Sequence, residues 1–222
     1  MKSQQSGFTL VEIAIVLVII GLLLGGVLKG QELINSAKVK NLANDFRVVP
    51  TYIYAYQDKF KSLPGDDAAV ATHITGSTLS TVGPTGNGVI NGAWNAAAGS
   101  GEESALFWQH VRLANLASGP TDVTDATYLP TNATGGKIGL SSATSTTTQI
   151  QGMTGTYQIC SAGILGKFAK QLDIQMDDGN TSTGSMRTVA DGAAVGTAAI
   201  PNNVAPPAGI DDAASYTVCM TF

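Results

Sequence analysis

The sequence predicts an α+β protein in which one long N-terminal helix precedes a head of short helices, strands and long loops. Two observations lead to this prediction. An apolar run from 8 to 28 passes into a helical apolar stripe that ends near residue 63. Behind the stripe, short strand candidates alternate with polar stretches rich in Gly, Ser and Thr. We therefore expect four segments: a polar leader at 1–7, an apolar helix of membrane-spanning length at 8–30, an amphipathic half of the same helix at 31–63, and a globular head at 64–222.

The apolar run from 8 to 28 is long enough to cross a membrane. At about 1.5 Å per helical residue it matches the hydrocarbon thickness of a bilayer. A polar leader with one cation, Lys2, precedes it and ends at Gly7. This order is the reverse of a secretory signal, whose small-residue cleavage site follows the apolar region. Cleavage after Gly7 would leave the apolar helix on the mature protein.

Glu12 interrupts the apolar run and needs an explanation. A carboxylate in a membrane helix costs a few kcal/mol and is a functional-site hypothesis that calls for a partner. Cleavage after Gly7 would create an α-amino group at Phe8, which can pair with Glu12 of an adjacent copy. The alternative is a passive single-pass anchor whose Glu12 lies near the headgroups.

The N-terminal residues resemble a known signature. Lys2 followed by Gly7-Phe8-Thr9-Leu10-Val11-Glu12-Ile13 is similar to the processing and methylation motif of type IV prepilins and the related pseudopilins. The resemblance implies cleavage between Gly7 and Phe8, N-methylation of Phe8, and Glu12 as the assembly carboxylate. It also implies the pilin fold, in which the long helix packs on a small antiparallel sheet.

Many members of this family carry a proline within the apolar segment, and this chain has none there. Four glycines occur in or just after that segment: Gly21, Gly25, Gly26 and Gly30. Because glycine weakens a helix by roughly 1 kcal/mol relative to alanine, we expect this part of the helix to be able to melt on assembly.

The stripe after the anchor has helical spacing, and its members are Leu42, Phe46, Val49, Ile53, Tyr56 and Phe60. Such spacing predicts an amphipathic helix, with a kink near residues 47–50 because Pro50 interrupts it. The run 63–65 should end the helix, and Asp66 or Asp67 should cap a short helix that follows.

The remaining elements are predicted from turn residues and local periodicity. Residues 72–101 should form turns, and a capping box at 100–103 should open a helix that reaches Leu116. Residues 121–149 form a polar stretch that we interpret as solvated linker. Beyond it we expect a strand at 153–161, a helix from Ile164 to Met176, a turn at 177–180, a strand at 185–190, a loop at 191–209 and a last strand at 215–222.

The chain has two cysteines, Cys160 and Cys219. A membrane-anchored chain whose body lies outside the cytoplasm meets oxidising conditions, which favours a disulfide. Two unpaired thiols in separate places are the alternative. The family resemblance also favours a bridge, since many pilins pin their C-terminal segment with one.

Composition and residue types exclude several functions. The net charge is −4, and an acidic chain without a basic patch is a poor ligand for nucleic acid. Two histidines far apart in sequence and the absence of a phosphate-binding loop give no catalytic constellation, so we expect no enzyme activity and no cofactor. The one weak metal candidate is an acidic turn with Asp177, Asp178 and Asn180, which could bind Ca²⁺ as the related pseudopilins do.

Three functional hypotheses follow. In the first, the chain is a type IV pilus subunit that is held in the inner membrane, cut by prepilin peptidase and passed by an assembly platform into an extracellular filament of like subunits. In the second, it is a pseudopilin of a type II secretion system. In the third, it is a monomeric membrane-tethered binding protein that never polymerises.

Overall fold

The computed structural model describes residues 9–144 and 146–222. The leader, Gly7 and Phe8 lie outside the described residues. The chain contains four helices and four strands in this part: α1 (Leu10–Phe60), α2 (Val70–His73), α3 (Glu103–Leu113), β1 (Ile138–Ser142), β2 (Tyr157–Leu165), α4 (Gly166–Met176), β3 (Met186–Ala190) and β4 (Ser215–Thr221). The predicted α+β class is confirmed, with the layout of a type IV pilin.

Contacts divide the chain into two units, one that ends at Lys38 and one that covers Val39–Phe222. The first unit contains the N-terminal part of α1. The second contains the remainder of α1 and all other elements. From here on we call this unit, Val39–Phe222, the head, so the term now includes the second part of α1 as well as the head expected at 64–222. The expected four-segment division of the chain stays a prediction.

The head is built on one antiparallel sheet with strand order β1-β2-β4-β3. The last strand of the chain, β4, therefore lies between β2 and β3. Its pairing with β2 places Cys219 directly opposite Cys160, and its pairing with β3 places Val218 opposite Thr188. The register between β2 and β4 shifts between Ser161 and Ile164. This central position ties the C-terminus of the chain into the middle of the sheet.

The second part of α1 forms the largest helical share of the core. Its buried residues are Val39, Leu42, Ala43, Phe46, Val49, Ile53 and Tyr56, and they recur at the three- and four-residue spacing of one helix face. They join a cluster with side chains of α3, α4 and the sheet. The predicted apolar stripe is thus confirmed, with Phe60 only partly buried. The helix runs through Pro50, and the kink stays a prediction.

Two predicted helix caps are wrong. The N-cap of α2 is Ala69, without a side-chain cap; Asp67 instead accepts hydrogen bonds from Tyr56 and Ala69, and Asp66 binds a different loop. The N-cap of α3 is Glu102, again without a side-chain hydrogen bond. The capping box does not form because Glu103 is buried, and its carboxylate accepts hydrogen bonds from Asn91 instead of from the Ser100 amide. The helix α3 also ends at Leu113 and not at Leu116.

The polar stretch 121–149 contains a strand that the sequence did not predict. All five residues of β1 are buried, although three of them are glycine or serine. Ser141 and Ser142 satisfy their hydroxyl groups inside the head by accepting hydrogen bonds from Gln158 and Ile90. Because of its polar composition this stretch was predicted to be a solvated linker, although part of it forms the buried edge strand β1. The strand predicted at 153–161 lies at 157–165, so Ile164 belongs to β2 and not to α4.

Candidate functional site

The N-terminus of α1 carries a capping box that holds Glu12. Thr9 stands directly before the helix, and Glu12 occupies its third position. The Glu12 Oε2 atom accepts hydrogen bonds from the Thr9 amide at 2.8 Å and the Thr9 hydroxyl at 2.7 Å, while the Glu12 amide donates to Thr9 Oγ1 at 3.3 Å. These bonds satisfy donors that a helix start leaves open. The Thr-x-x-Glu spacing of Thr9 and Glu12 is the sequence signal for this capping box, but the sequence analysis did not predict a capping role for Glu12.

The capping box leaves part of the Glu12 carboxylate available. Both hydrogen bonds that it accepts from Thr9 end on Oε2. Thr9 would remain in the chain after cleavage between Gly7 and Phe8, so the capping box can persist in the mature protein. The Oε1 atom accepts no hydrogen bond from the residues that the structure describes. Glu12 can therefore cap its own helix and still offer an oxygen to a cationic group from another molecule.

The helix that follows Glu12 exposes an apolar surface. Large hydrophobic residues of α1 from Leu10 to Ile34 are all exposed, Leu10 by 86% and Leu22 by 73%. By length and composition, α1 is the one helix in the described chain that qualifies as a membrane span, with a mean hydropathy of 2.8 over its most apolar window. The four glycines, Gly21, Gly25, Gly26 and Gly30, have open space around their α-carbons. The N-terminal part of α1 thus presents a continuous apolar surface.

In the head, the two cysteines form the expected disulfide. Cys160 in β2 and Cys219 in β4 are joined across directly paired positions, 59 positions apart in sequence, and both side chains are buried. Trp94, Val189 and Ile150 pack around the bridge. The prediction of a Cys160–Cys219 disulfide is confirmed.

A buried polar centre joins the end of α1 to α2. The Asp67 Oδ2 atom accepts a hydrogen bond from the Tyr56 hydroxyl at 2.8 Å and lies 2.6 Å from His73 Nδ1. Burial acts to raise the pKa of Asp67, but the hydrogen bonds from His73, Tyr56 and Ala69 outweigh it and lower the pKa below its ordinary value. The Tyr56 pKa is raised by burial and by Asp67. His73 contacts the Asp67 carboxylate and stacks on the ring of Phe60, which makes this centre a structural connection between α1 and α2.

The second histidine, His110, is fully buried in α3. Its Nδ1 atom accepts a hydrogen bond from the Gly65 amide at 2.9 Å, so Nε2 carries the proton and donates to the Thr78 carbonyl at 2.9 Å. Burial lowers the pKa of His110, which keeps the ring neutral. Gly65 has φ +91°, and a Cβ there would collide with the Glu103 carbonyl. The interpretation of His110 as a packing residue agrees with this environment.

Beside His110, two acids lie close together at the start of α3. Asp66 accepts hydrogen bonds from the amides of the loop 86–88, and Glu103 Oε2 accepts from the amide and side chain of Asn91 at 2.7 and 2.9 Å. Burial, with a contribution from Asp66, raises the pKa of Glu103 to about 7. The hydrogen bonds that Asp66 and Glu103 accept hold the loop 86–91 near the start of α3, and the second Glu103 oxygen, Oε1, has no hydrogen-bond partner in the described chain. Nothing in the sequence around Asp66 and Glu103 indicated that these two acids are buried.

The weak metal candidate does not have the geometry of a cation site. Asp177 accepts from the Met186 amide, and Asp178 accepts from the Asn180 amide and the Thr183 hydroxyl. The Asn180 side chain accepts from Ser182. These oxygens therefore organise their own turn. Within residues 9–144 and 146–222, no group of three or more His, Cys, Asp or Glu side chains could hold a metal ion.

Asp173, which precedes this turn, is fully buried in α4. Burial and the nearby Asp178 and Asp177 raise its pKa to about 7, although the amides of Gly179 and Asn180 face it and oppose the rise. Neither carboxylate oxygen accepts a hydrogen bond of good geometry within the described chain. Asp173 is thus best accommodated as a neutral carboxylic acid, which explains how an acid can occupy this site.

Comparison with known proteins places the N-terminus in a defined class. The family model described as "Prokaryotic N-terminal methylation motif" matches residues 2–28. No curated protein and no solved structure matches the chain. The match covers the leader, the cleavage position, Glu12 and the apolar helix, and proteins with this motif are structural, non-enzymatic components. The chain therefore carries the prepilin-type cleavage and methylation motif of type IV pilins, and this motif supports a pilin-like or pseudopilin-like precursor.

Proposed function

We propose that this chain is a structural subunit of a type IV pilus. Prepilin peptidase cuts between Gly7 and Phe8, and the new N-terminus is methylated on Phe8. The mature subunit waits in the inner membrane, anchored by α1, and an assembly platform then passes it into an extracellular filament of this and other pilins. The single observation that carries the proposal is the position of Glu12, an acid placed where the apolar helix begins within a matched prepilin-type motif.

The electrostatics at the N-terminus support polymerisation. An uncompensated carboxylate at membrane depth is costly, and one oxygen of Glu12 is engaged by Thr9. The methylated Phe8 amine keeps its proton and its positive charge. Pairing this amine with the remaining Glu12 oxygen of a neighbouring subunit compensates both charges in an apolar environment and fixes the axial offset between the two subunits.

The exposed apolar helix supports the same mechanism. Its large hydrophobic residues are exposed, and a contiguous apolar surface of this size indicates an interaction with membrane or protein. In the membrane, lipid covers the surface. In the filament, the equivalent helices of other subunits cover it. The subunit therefore exchanges one apolar environment for another, which keeps the free energy of extraction small.

The experiment compares Glu12→Ala with a control in cells from which the chromosomal gene has been deleted. Glu32→Ala is the matched control, because Glu32 is an exposed acid on the same helix, paired with Lys29 at 2.7 Å. Electron microscopy of sheared surface material should show filaments with the wild type and with Glu32→Ala, and none with Glu12→Ala. Filaments at wild-type number in Glu12→Ala cells would contradict the proposal.

A pseudopilin of a type II secretion system is the second candidate, because the same N-terminal motif matches both classes. Deletion would then stop the release of exoproteins while surface filaments persist. The third hypothesis, a monomeric membrane-tethered binding protein, predicts that Glu12→Ala keeps full function. Assays of secreted protein and surface filaments in one set of strains separate the three.

A further inference from the structure

A cavity in the head contains two opposite charges that do not pair with each other. It has a volume of about 190 Å³ and is lined by residues of α1, α3, and the segments 117–118 and 130–131. Asp45 of α1 and Arg112 of α3 both line it, and Tyr52 lies on the same wall as Asp45. These three are the titratable residues of the lining. None of the ion pairs in the described chain joins Asp45 to Arg112.

Arg112 is a buried cation with unused hydrogen-bonding capacity. Its side chain is 7% exposed, and Nη1 donates to the carbonyls of Pro120 at 2.8 Å and Tyr128 at 2.6 Å. The guanidinium lies over the rings of Trp108 and Tyr128. Its Nε is buried without a hydrogen-bond partner, and no carboxylate of the described chain pairs with it. The carbonyls and rings hold the side chain in place, but its positive charge stays uncompensated, which is unfavourable in a buried site.

Asp45 is the complementary group. It is half-buried, and it takes part in none of the hydrogen bonds or ion pairs among the residues that the structure describes. Burial raises its pKa to about 6. The pKa of Tyr52 is raised by burial and by Asp45 and is opposed by Arg112, so the Tyr52 hydroxyl lies within the electrostatic range of both charges. The cavity lining thus contains an acid, a cation and a tyrosine that interacts electrostatically with both.

We propose that this cavity binds a small zwitterion of amino-acid size, whose carboxylate pairs with Arg112 and whose ammonium group pairs with Asp45. A guanidinium binds a carboxylate through charge-assisted hydrogen bonds. A plain anion would meet the repulsion of Asp45, and a plain cation would meet that of Arg112. The volume lies below the ~300 Å³ at which drug-sized ligands are accommodated, so the ligand is a small molecule that brings both charges into the cavity together.

The test is isothermal titration of the full-length protein in detergent. Glycine, β-alanine and 4-aminobutyrate serve as zwitterions with increasing charge separation, and butyrate and butylamine serve as single-charge controls. At least one zwitterion should bind saturably at one molecule per chain. Each single-charge compound should bind at least tenfold more weakly than that zwitterion. Absence of saturable binding for all three zwitterions would overturn the proposal.

The variant Asp45→Asn tests directly whether Asp45 binds the ammonium group of the ligand. This change removes the ammonium partner but keeps the size of the side chain, so the best zwitterion should bind at least tenfold more weakly, while butyrate should bind more tightly than to the wild type. Asp58→Asn is the matched control, an exposed acid on the same helix outside the cavity, and it should bind as the wild type does. Unchanged zwitterion binding by Asp45→Asn contradicts the proposal. Loss of self-association in Asp45→Asn without any small-molecule binding would assign the cavity to a second copy, and also contradicts it.

Discussion

The two stretches of α1 on either side of Lys38 use apolar side chains in opposite ways. Leu22, in the first stretch, is 73% exposed, while Leu42, in the second, is completely buried. From Ile13 to Leu28 the first stretch is apolar around its circumference, and the second confines its buried apolar residues to one face. A helix with a single apolar face is typical of a globular protein, whereas one that is apolar all round needs an environment outside its own fold. The first stretch therefore needs a covering environment such as a membrane, which its length and composition fit.

The largest effect expected in the head comes from its disulfide. Replacing both Cys160 and Cys219 by Ala should destabilise the head by about 4 kcal/mol, because the bridge closes a loop of about 60 residues in the unfolded chain. The change should leave the protein in the membrane fraction, since α1 before Lys38 is untouched. Thermal unfolding of detergent-solubilised protein measures the first result, and membrane fractionation measures the second.

The same comparison has an internal control. Dithiothreitol should lower the melting temperature of the wild type toward that of the double variant, and it should not affect the double variant. Equal melting temperatures for the wild type and the double variant would show that the bridge between β2 and β4 contributes nothing to the stability of the head.

A matched pair of leucines tests the contrast within α1 itself. Leu42→Ala should destabilise the head by ~3 kcal/mol, because it leaves a cavity in a fully packed core. Leu22→Ala removes the same atoms from an exposed position and should change the free energy of unfolding of the head by less than about 0.5 kcal/mol. Chemical denaturation followed by tryptophan fluorescence measures both. Similar losses for the two variants would contradict the division of α1 into an external and an internal stretch.

The pH dependence of stability should belong to the head alone. The pKa of Glu103 rises from its ordinary 4.5 in the unfolded chain to about 7 in the fold, and Asp173 shifts in the same direction. The folded protein therefore binds more protons than the unfolded chain between these values. Its extra stability is complete below about pH 4.5 and is lost as the pH rises through 7. Glu103 should make unfolding easier by roughly 2 kcal/mol between pH 5 and pH 8. Asp173 adds to this change, and His110, whose pKa is lowered by burial, opposes it below its ordinary pKa of 6.5.

Glu103→Gln should reduce this pH dependence. The amide stays neutral and can accept from Asn91 as Glu103 does. The variant should therefore be more stable than the wild type at pH 8 and lose less stability between pH 5 and pH 8. Glu32→Gln, an exposed change in the other stretch of α1, should leave the pH profile unchanged. A melting temperature that rises from pH 5 to pH 8 in the wild type would contradict this account.

The smallest effect is expected for metal removal. The side-chain oxygens of Asp177 and Asp178 are occupied by groups of their own turn, so a chelator such as EGTA should shift the melting temperature by less than about 1 °C, or less than roughly 0.5 kcal/mol. A clear decrease with EGTA that calcium reverses would contradict the structural interpretation of the turn.

The parts of the molecule that could be predicted from the sequence are those in which a single local feature, such as periodicity or residue type, determines the structure. Long helical periodicity predicted α1, and residue type predicted the Cys160–Cys219 bridge. Such prediction failed where side chains of the head outweigh local preference. β1 has the composition of a linker, but Gln158 and neighbouring backbone groups satisfy its serines inside the head. Glu103 looked like part of a capping box, but a carboxyl that is neutral in the fold can be buried.

The candidate site shows the same limit. The motif that contains Glu12 was visible in the sequence, and so was the Thr-x-x-Glu spacing behind the capping box. The cavity between Asp45 and Arg112 was not visible, because its two charges come from helices that are distant in sequence and meet only in the folded head. A sequence shows a charge, but whether that charge has a partner is a property of the fold.

The central claim is that the polar leader is removed, so that the mature chain begins with the amino group of Phe8, four residues before Glu12. Mass spectrometry of the protein purified from cells that contain prepilin peptidase tests this claim most directly. We predict an N-terminal peptide that starts with N-methylated Phe8 and lacks residues 1–7. An intact leader in those cells would contradict the account.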